Sequence, residues 1–395
     1  MNEETKNKII NLIPNIGLLK KALSKIRVQR VKEHYISVEE IRTGEFDFVQ
    51  KMNIVNKYKN SWSAYLNPTI IMAKKIIDRV DIYKDRLDKD KLLEDMIFCR
   101  LAYGFQPDEY LCFGLEGQSM DQRKQWISDL DRYVFIYSMN DIKDAQLFNN
   151  KVCTYDAFKE YYKRDAIGIR VNSDYSKFLA FVKKHPIFVK KQAFEGCGRS
   201  IELIDISKIG MSTQKYFKEL ISYGEHILEE RIYSHEVLNK LNPSSVNTVR
   251  CITFNTIEGI HVPFCFMKIG RNGSFVDNGG AGGLLVYIDP KTGTFVGDAY
   301  DEDNIGYAEH PDTKVPFKGY KLPEWDELLK ICKEISSIMP TVKCIGWDMT
   351  YTNQGWIVVE GNGMTQMIAP QICGKKPTKE KTLELMRKMD LIVEI

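Results

Sequence analysis

The sequence predicts an α+β fold in which a mostly helical N-terminal region, residues 1–140, precedes a mixture of strands and helices. Three observations carry this. Before residue 140, apolar residues recur at spacings of three and four, as at Leu92, Met96, Ile97 and Leu101, the repeat of one helix face. Beyond it, short strand-like runs alternate with helical stretches without a regular βαβ period, which favours α+β over a doubly wound sheet. Near the end, residues 341–360 read as two apolar strands around a turn at Thr352 to Gly355, built from residues that turns prefer.

The bulk composition agrees with a soluble globular protein. The chain of 395 residues suffices for two or three ordinary domains, with 44% hydrophobic and 28% charged residues. With 56 basic and 53 acidic residues the formal charge is only +3, which gives no argument for nucleic acid as a partner. Nine cysteines include no C-x-x-C pair, and several lie in apolar runs. A reduced, cytoplasmic protein without disulfides or zinc is expected. The start lacks a basic n-region and cleavage site, and no apolar run approaches the roughly 18 residues that cross a bilayer.

Taken in order, the segment Lys20 to Lys32 is basic and amphipathic. Such a run suits anionic lipid or a partner surface, although a solvated helix face is its commoner use. Residues 155–163 and 212–223 read as helices. Pro186 to Lys191 and Ser200 to Ile206 read as strands, joined through a glycine turn at Gly196 to Gly198. Ile227-Leu228 is another apolar run. Residues 246–270 hold two alternating strands around Ile257-Glu258-Gly259, and residues 323–339 a helix opened by Pro323. A domain division at 141–225 and 226–395 follows the helical region.

The terminal hairpin carries the chemistry. Folded about Gln354, it sets Asp348 opposite Glu360, and side chains so placed lie about 5 Å apart. Two carboxylates that close need a proton or a cation between them. Asn362 lies two residues beyond Glu360, on the same face of a continuing strand. Two carboxylates and an amide oxygen make a hard-oxygen site suited to Mg2+ with substrate phosphates. An exposed hairpin would need no cation, but Trp347, Trp356, Ile357, Val358 and Val359 argue for burial, where unpaired carboxylates are costly.

At these residues the chain resembles a known family. GWDMTYTNQG followed by VVEGN is similar to the metal signature of the ATP-grasp superfamily. With LNPSSVNTVRCITF (241–254) and VDNGGAGGL (276–284), it most resembles the sugar-transfer-associated ATP-grasp group. The resemblance spans roughly residues 95–375. It implies an ATP-grasp fold, in which a small subdomain with a glycine lid (141–225) and a large subdomain with the metal site (226–395) clamp ATP.

The family's other parts are then sought singly. Lys151 matches the first phosphate-binding lysine. Lys191, with Lys190 as its rival, matches the second, and alternation along a strand lets only one of them face the phosphates. Gly196-Cys197-Gly198-Arg199 occupies the lid, with fewer glycines than is usual in the family. ILEERIYSHEVL (227–238) resembles the adenine hinge. There Glu229 would meet the exocyclic amine, Glu230 stands beside it, the Arg231-Ile232 backbone would read the ring edge, and Glu236 would take the ribose. Many related ligases carry an Arg two residues before the metal Asp; here that position is Gly346. Arg250, Lys268 or Arg271 would then steady the transferred phosphoryl group. Asn247, where a strand opens, would touch the substrate, and Asp277, Asn278, Gly279 and Gly280 would belong to a substrate or phosphate loop, with an ordinary connection as the plainer alternative.

The reaction implied is an ATP- and Mg2+-dependent joining of a carboxylate, free or sugar-linked, to an amine. A kinase-like phosphotransferase and a non-catalytic nucleotide-binding scaffold are the alternatives. The sequence has no G-x-x-x-x-G-K-[ST] loop, no H-E-x-x-H and no G-x-S-x-G elbow.

Overall fold

A computed structural model describes residues 25–30, 45–194, 201–275, 277 and 282–391. Among the described residues ahead of the first strand, regular structure is helical. Phe48–Ser61 opens on a capping box, in which Asp47 and Gln50 satisfy each other's backbone donors. Ser63–Arg79, Lys89–Tyr103, Pro107–Cys112 and Asp129–Met139 follow. Lys89–Tyr103 stops at Gly104, whose φ of +80° suits glycine, and a Cβ there would strike Leu130 at 2.6 Å.

A four-stranded antiparallel sheet comes next: β1 (Ala166–Ile169), β2 (Ile187–Gln192), β3 (Glu202–Asp205) and β4 (His226–Glu230), in the order β1-β4-β2-β3. Helices Tyr175–Lys184 and Thr213–Ser222 cover it, burying Phe178, Phe181, Phe217 and Leu220 against Ile169, Phe188 and Leu228. Because β4 hydrogen-bonds to both β1 and β2, the sequence division between 225 and 226 cuts a strand from its own sheet. The sheet ends after Glu230.

The second sheet has seven antiparallel strands. They are β5 (Thr248–Thr256), β6 (Gly259–Ile269), β7 (Leu284–Ile288), β8 (Phe295–Tyr300), β9 (Gly306–Tyr307), β10 (Cys344–Thr352) and β11 (Gly355–Asn362). Their order is β11-β10-β5-β6-β7-β8-β9; β7 to β9 went unread in the sequence. Helices Lys151–Tyr162 and Trp325–Ser337 pack on the back of this sheet around Trp347, Val249, Cys251 and Val358. The first of these begins four residues before the expected 155, because Asn150 caps it by accepting from the N–H groups of Val152 (2.8 Å) and Cys153 (3.2 Å).

The front of the same sheet is divided. Ile252, Phe254, Phe264 and Phe266 join one core with the N-terminal helices and with helices Ala369–Gly374 and Lys379–Arg387. The rest of the front is polar and faces the four-stranded sheet. The helical region therefore borders the polar face directly. Among the described residues no helix is long and apolar enough to cross a membrane.

Candidate functional site

A cleft of about 1140 Å³ lies between the two sheets. Its centre is set by strand register. Asp348 on β10 pairs with Glu360 on β11 and with Arg250 on β5. The turn itself, Asn353-Gln354 between Thr352 and Gly355, would set Asp348 opposite Val359. A bulge between Asp348 and Met349 shifts the register by one residue, so that Glu360 stands opposite instead. The bulge also lets Val359 and Glu360 both line the cleft while Val358 stays in the core behind.

Asp348 is buried, and both its oxygens are taken. Arg250 donates from Nε to Oδ1 (2.6 Å) and from an Nη to Oδ2 (2.8 Å), and Lys268 Nζ donates to Oδ2 at 3.0 Å. Burial by itself would raise its pKa, but Arg250 and Lys268 outweigh it and hold the carboxyl at about 2. The repulsion expected between Asp348 and Glu360 is thus relieved by protein cations; Lys151 Nζ also lies 3.8 Å from Glu360 Oε1. Asn362 gives its Nδ2 to Gly346 O at 3.4 Å, which leaves its side-chain oxygen turned to other partners. Gly346 has no room for a side chain, since a Cβ would meet Thr365 Oγ1 at 2.0 Å and Arg250 Cδ at 3.1 Å. The guanidinium that reaches Asp348 comes from the neighbouring strand.

The opposite wall belongs to β2 and β4. Lys191 lines the cleft, and its Nζ donates to Glu229 Oε1 at 2.8 Å. Lys190 points to the other face and pairs with Glu202 at 2.7 Å. Glu229 was expected to reach an adenine amine with its side chain. It lines the cleft but is buried and ion-paired, because Arg164 donates twice to its Oε2, at 2.9 and 2.6 Å, beside the Lys191 contact on Oε1. Burial opposes its ionisation, yet Arg164 and Lys191 hold it at about 2. Arg231 and Ile232 line the cleft beside Glu230.

Other candidates separate in the same way. Asn247 is buried and wholly engaged, donating to Leu238 O and Asn242 O and accepting from Ser245 Oγ and Gly270 N. It braces loops and does not face a substrate. Arg271 is committed to Gly282 O (2.6 Å), Tyr307 Oη (2.8 Å) and Asp301 Oδ2 (3.2 Å), so it is not placed to steady a phosphoryl group in the cleft. Glu236 opens the Glu236–Leu241 helix with its side chain exposed, away from the lining. Asp277 does line the cleft, with Oδ2 accepting from Thr248 N at 2.9 Å, and burial raises its pKa. Gly196, Gly198, Asn278, Gly279 and Gly280 lie outside the described residues.

Two contributions escaped the sequence reading. Arg164 donates to Glu229 of the four-stranded sheet and to Val358 O (2.6 Å) of β11, tying the two walls together. The N-terminal helices supply a further wall through Ile76, Arg79 and Asp108. No local pattern marks either.

Two antiparallel sheets enclosing a cleft of converging lysines, arginine and carboxylates define an ATP-grasp protein. Residues 131–385 match the model of the sugar-transfer associated ATP-grasp family, and the chain belongs to that family. No curated protein matches in sequence. Solved structures with some likeness include N5-carboxyaminoimidazole synthetase from Staphylococcus aureus complexed with ADP. There the identity is 13% over 56% of this chain and 46% of that one, with a TM-score of 0.37. The ATP-grasp ligase PsnB complexed with a minimal precursor shows 8% identity over 68% of this chain and 70% of its own, TM-score 0.40. D-Alanine-D-alanine ligase from Helicobacter pylori shows 12% over 62% and 61%, TM-score 0.38. This chain spans less than half of the first of these structures. Likeness of this degree adds no residue roles to the family match.

Proposed function

We propose that this protein is an ATP- and Mg2+-dependent carboxylate-amine ligase. The observation that carries the reading is the convergence of Lys151, Lys191, Arg250 and Lys268 on one cleft with Glu360 and Asn362. Four cations around an open space suit a polyphosphate better than a neutral ligand. The oxygen donors fit a hard divalent cation. Glu360 is partly open, Asn362 has a free side-chain oxygen, and Asp348 uses three of about four lone-pair positions. Glu360 and Asn362 would hold Mg2+, with Asp348 able to add one bond.

Lys151 and Lys191 reach in from opposite walls, where they would hold the phosphates. Arg250 and Lys268, fixed by Asp348, stand ready to balance charge as a phosphoryl group moves. ATP supplies the activating phosphoryl group. The substrate carboxylate bonds to the γ-phosphorus as ADP leaves; the amine nitrogen then bonds to the acyl carbon, phosphate departs, and the amine loses a proton. The family's association with sugar transfer favours a sugar acid or related carboxylate of a surface polysaccharide precursor as the acceptor of the amine. Kinase-like transfer to a hydroxyl is the competing chemistry.

Thermal unfolding with and without Mg-ATP tests the nucleotide site. At 100 times its dissociation constant a ligand adds about 2.7 kcal/mol, roughly a 3 °C rise for a chain of this length. The rise is expected in wild type, to depend on Mg2+, and to shrink in Glu360→Ala; its absence with every nucleotide would overturn the reading. Hydroxylamine trapping then separates the chemistries, since an activated carboxylate yields a hydroxamate and a phosphorylated alcohol yields none.

A further inference from the structure

The cleft extends past the cations placed to hold a nucleotide's phosphates, to residues of the N-terminal helices. Pockets for a single drug-sized ligand run to roughly 1,000 Å³, and this one reaches about 1140 Å³. Sheet order gives its long direction. Of the phosphate-type cations, Arg250 and Lys268 lie on β5 and β6, Lys151 lies near Glu360 of β11 and Lys191 on β2 of the opposite wall, whereas Asp301 and Glu302 follow β8. From β5 to β8 is three strand spacings, roughly 14 Å. At that far end the N-terminal helices close the cleft. Arg79 pairs with Asp303 at 2.5 Å and with Glu302 at 3.8 Å, and Asn304 donates to Leu111 O at 3.1 Å. These contacts anchor the helical region to the turn after β8.

The chemistry changes along the way. The middle is apolar, floored by Phe266 and Leu285 and roofed by Ile76, Ile368 and Ile372. The far end is acidic, with Asp78, Asp108, Glu109 and Glu302 against Lys75 and Arg79. Most of these charges are spoken for. Glu109 accepts from the N–H groups of Gln106 and Asp129, Asp78 lies 3.4 Å from Lys89, and Glu302 lies near Arg79. Asp108 differs. The carboxyl accepts from the backbone N–H groups of Asp108 and Glu109, but its Oδ1 is shut off from solvent and has no hydrogen-bond partner among the described residues, although the residue lines the cleft. Arg100, the cation that acts on it, donates to Gly104 O at 2.7 Å and lies 3.8 Å from Asp129, and its buried Nε makes no hydrogen bond to Asp108. A carboxylate in that condition is costly unless a cation arrives.

We infer that the end of the cleft walled by the N-terminal helices is the second-substrate site, and that it takes a primary amine on an apolar body, with the ammonium group at Asp108. The apolar middle would seat the body of the amine, and the acidic end would exclude a second carboxylate. Burial, with the Asp129 charge behind it, pushes the Asp108 carboxyl above its ordinary range, against the opposing pull of the Glu109 and Asp108 backbone N–H groups and of Arg100. The inference rests on the ligase reading, to which it assigns the amine side.

The test uses the full chain and two probes of equal length, 1,5-diaminopentane and glutarate, titrated calorimetrically with and without the Mg2+ complex of AMP-PNP. The diamine should bind and glutarate should not. Asp108→Asn should weaken diamine binding at least tenfold and leave Mg-AMP-PNP affinity unchanged. Asp78→Lys, an exposed charge reversal at the same end, keeps the question open to test if Asp108→Asn unfolds, and it should weaken the diamine several-fold. Glutarate binding in preference, no diamine binding, or diamine binding indifferent to both variants would overturn the inference. Loss of nucleotide binding in wild type with diamine binding intact would instead overturn the ligase reading alone.

Discussion

Asp348→Asn removes one negative charge from between two buried cations and keeps the side chain's shape. The carboxyl titrates at about 2 against an ordinary 3.8, which corresponds to about 2 kcal/mol of stabilisation at neutral pH. Breaking a buried ion pair by removing one partner costs about 3–5 kcal/mol. An expected loss of about 3 kcal/mol sits between these routes. With unfolding entropy near 2.1 cal/mol/K per residue, that lowers the melting temperature by about 4 °C. The pKa is depressed in the folded state, so the stabilisation is fully present above about pH 5 and is lost as the pH falls toward 2. By pH 3 about half of the titratable part has gone. Glu229 titrates in the same range, so the informative quantity is the difference between variant and wild type. Differential scanning calorimetry at pH 7 and pH 3 should show that difference narrowing at the lower pH. Equal melting at pH 7, or a gap that ignores pH, would refute the ion-pair account.

Three further outcomes are expected. Lys191→Ala should weaken Mg-AMP-PNP binding at least tenfold by calorimetric titration while Lys190→Ala leaves it unchanged, because only Lys191 lines the cleft; equal effects would contradict that difference. Arg271→Ala should cost about 2–3 kcal/mol in denaturant unfolding, through lost contacts to Asp301, Tyr307 and Gly282, with nucleotide affinity intact. Gly346→Ala should lose about 1–3 kcal/mol, since its Cβ would overlap Thr365; wild-type melting would show that Thr365 moves freely.

Much of the architecture was legible in the chain because its causes are local. The helical start follows from three-and-four apolar spacing, the β5–β6 hairpin from alternation around Gly259, and the β10–β11 hairpin from Asn353-Gln354 between apolar runs. The strands β7 and β8 were passed over because a glycine-rich segment precedes them and their runs are short. The opposition of Asp348 and Glu360 came out of counting about Gln354, yet the turn by itself would pair Asp348 with Val359. The bulge that corrects the register comes with packing on either side of the strand, Val358 in the core and Val359 in the cleft.

What the sequence by itself determined is the list of chemical groups and the strands that carry them: lysines at 151 and 191, carboxylates at 348 and 360, an amide at 362. Only the tertiary structure decided their partners. Arg250 and Asp348 are 98 residues apart, and Arg164 and Val358 are 194; no local periodicity encodes such distances. Tertiary pairing made Asp348 an ion-paired anchor, turned Glu229 from a presumed ligand contact into the brace for Lys191, and withdrew Asn247 and Arg271 from the cleft. It also brought the N-terminal helices against the far end, where Asp108 lies with its buried Oδ1 making no hydrogen bond among the described residues. The physical reason is that a buried charge takes its role from the opposite charges within a few ångströms, and those neighbours are set when the sheets and helices pack.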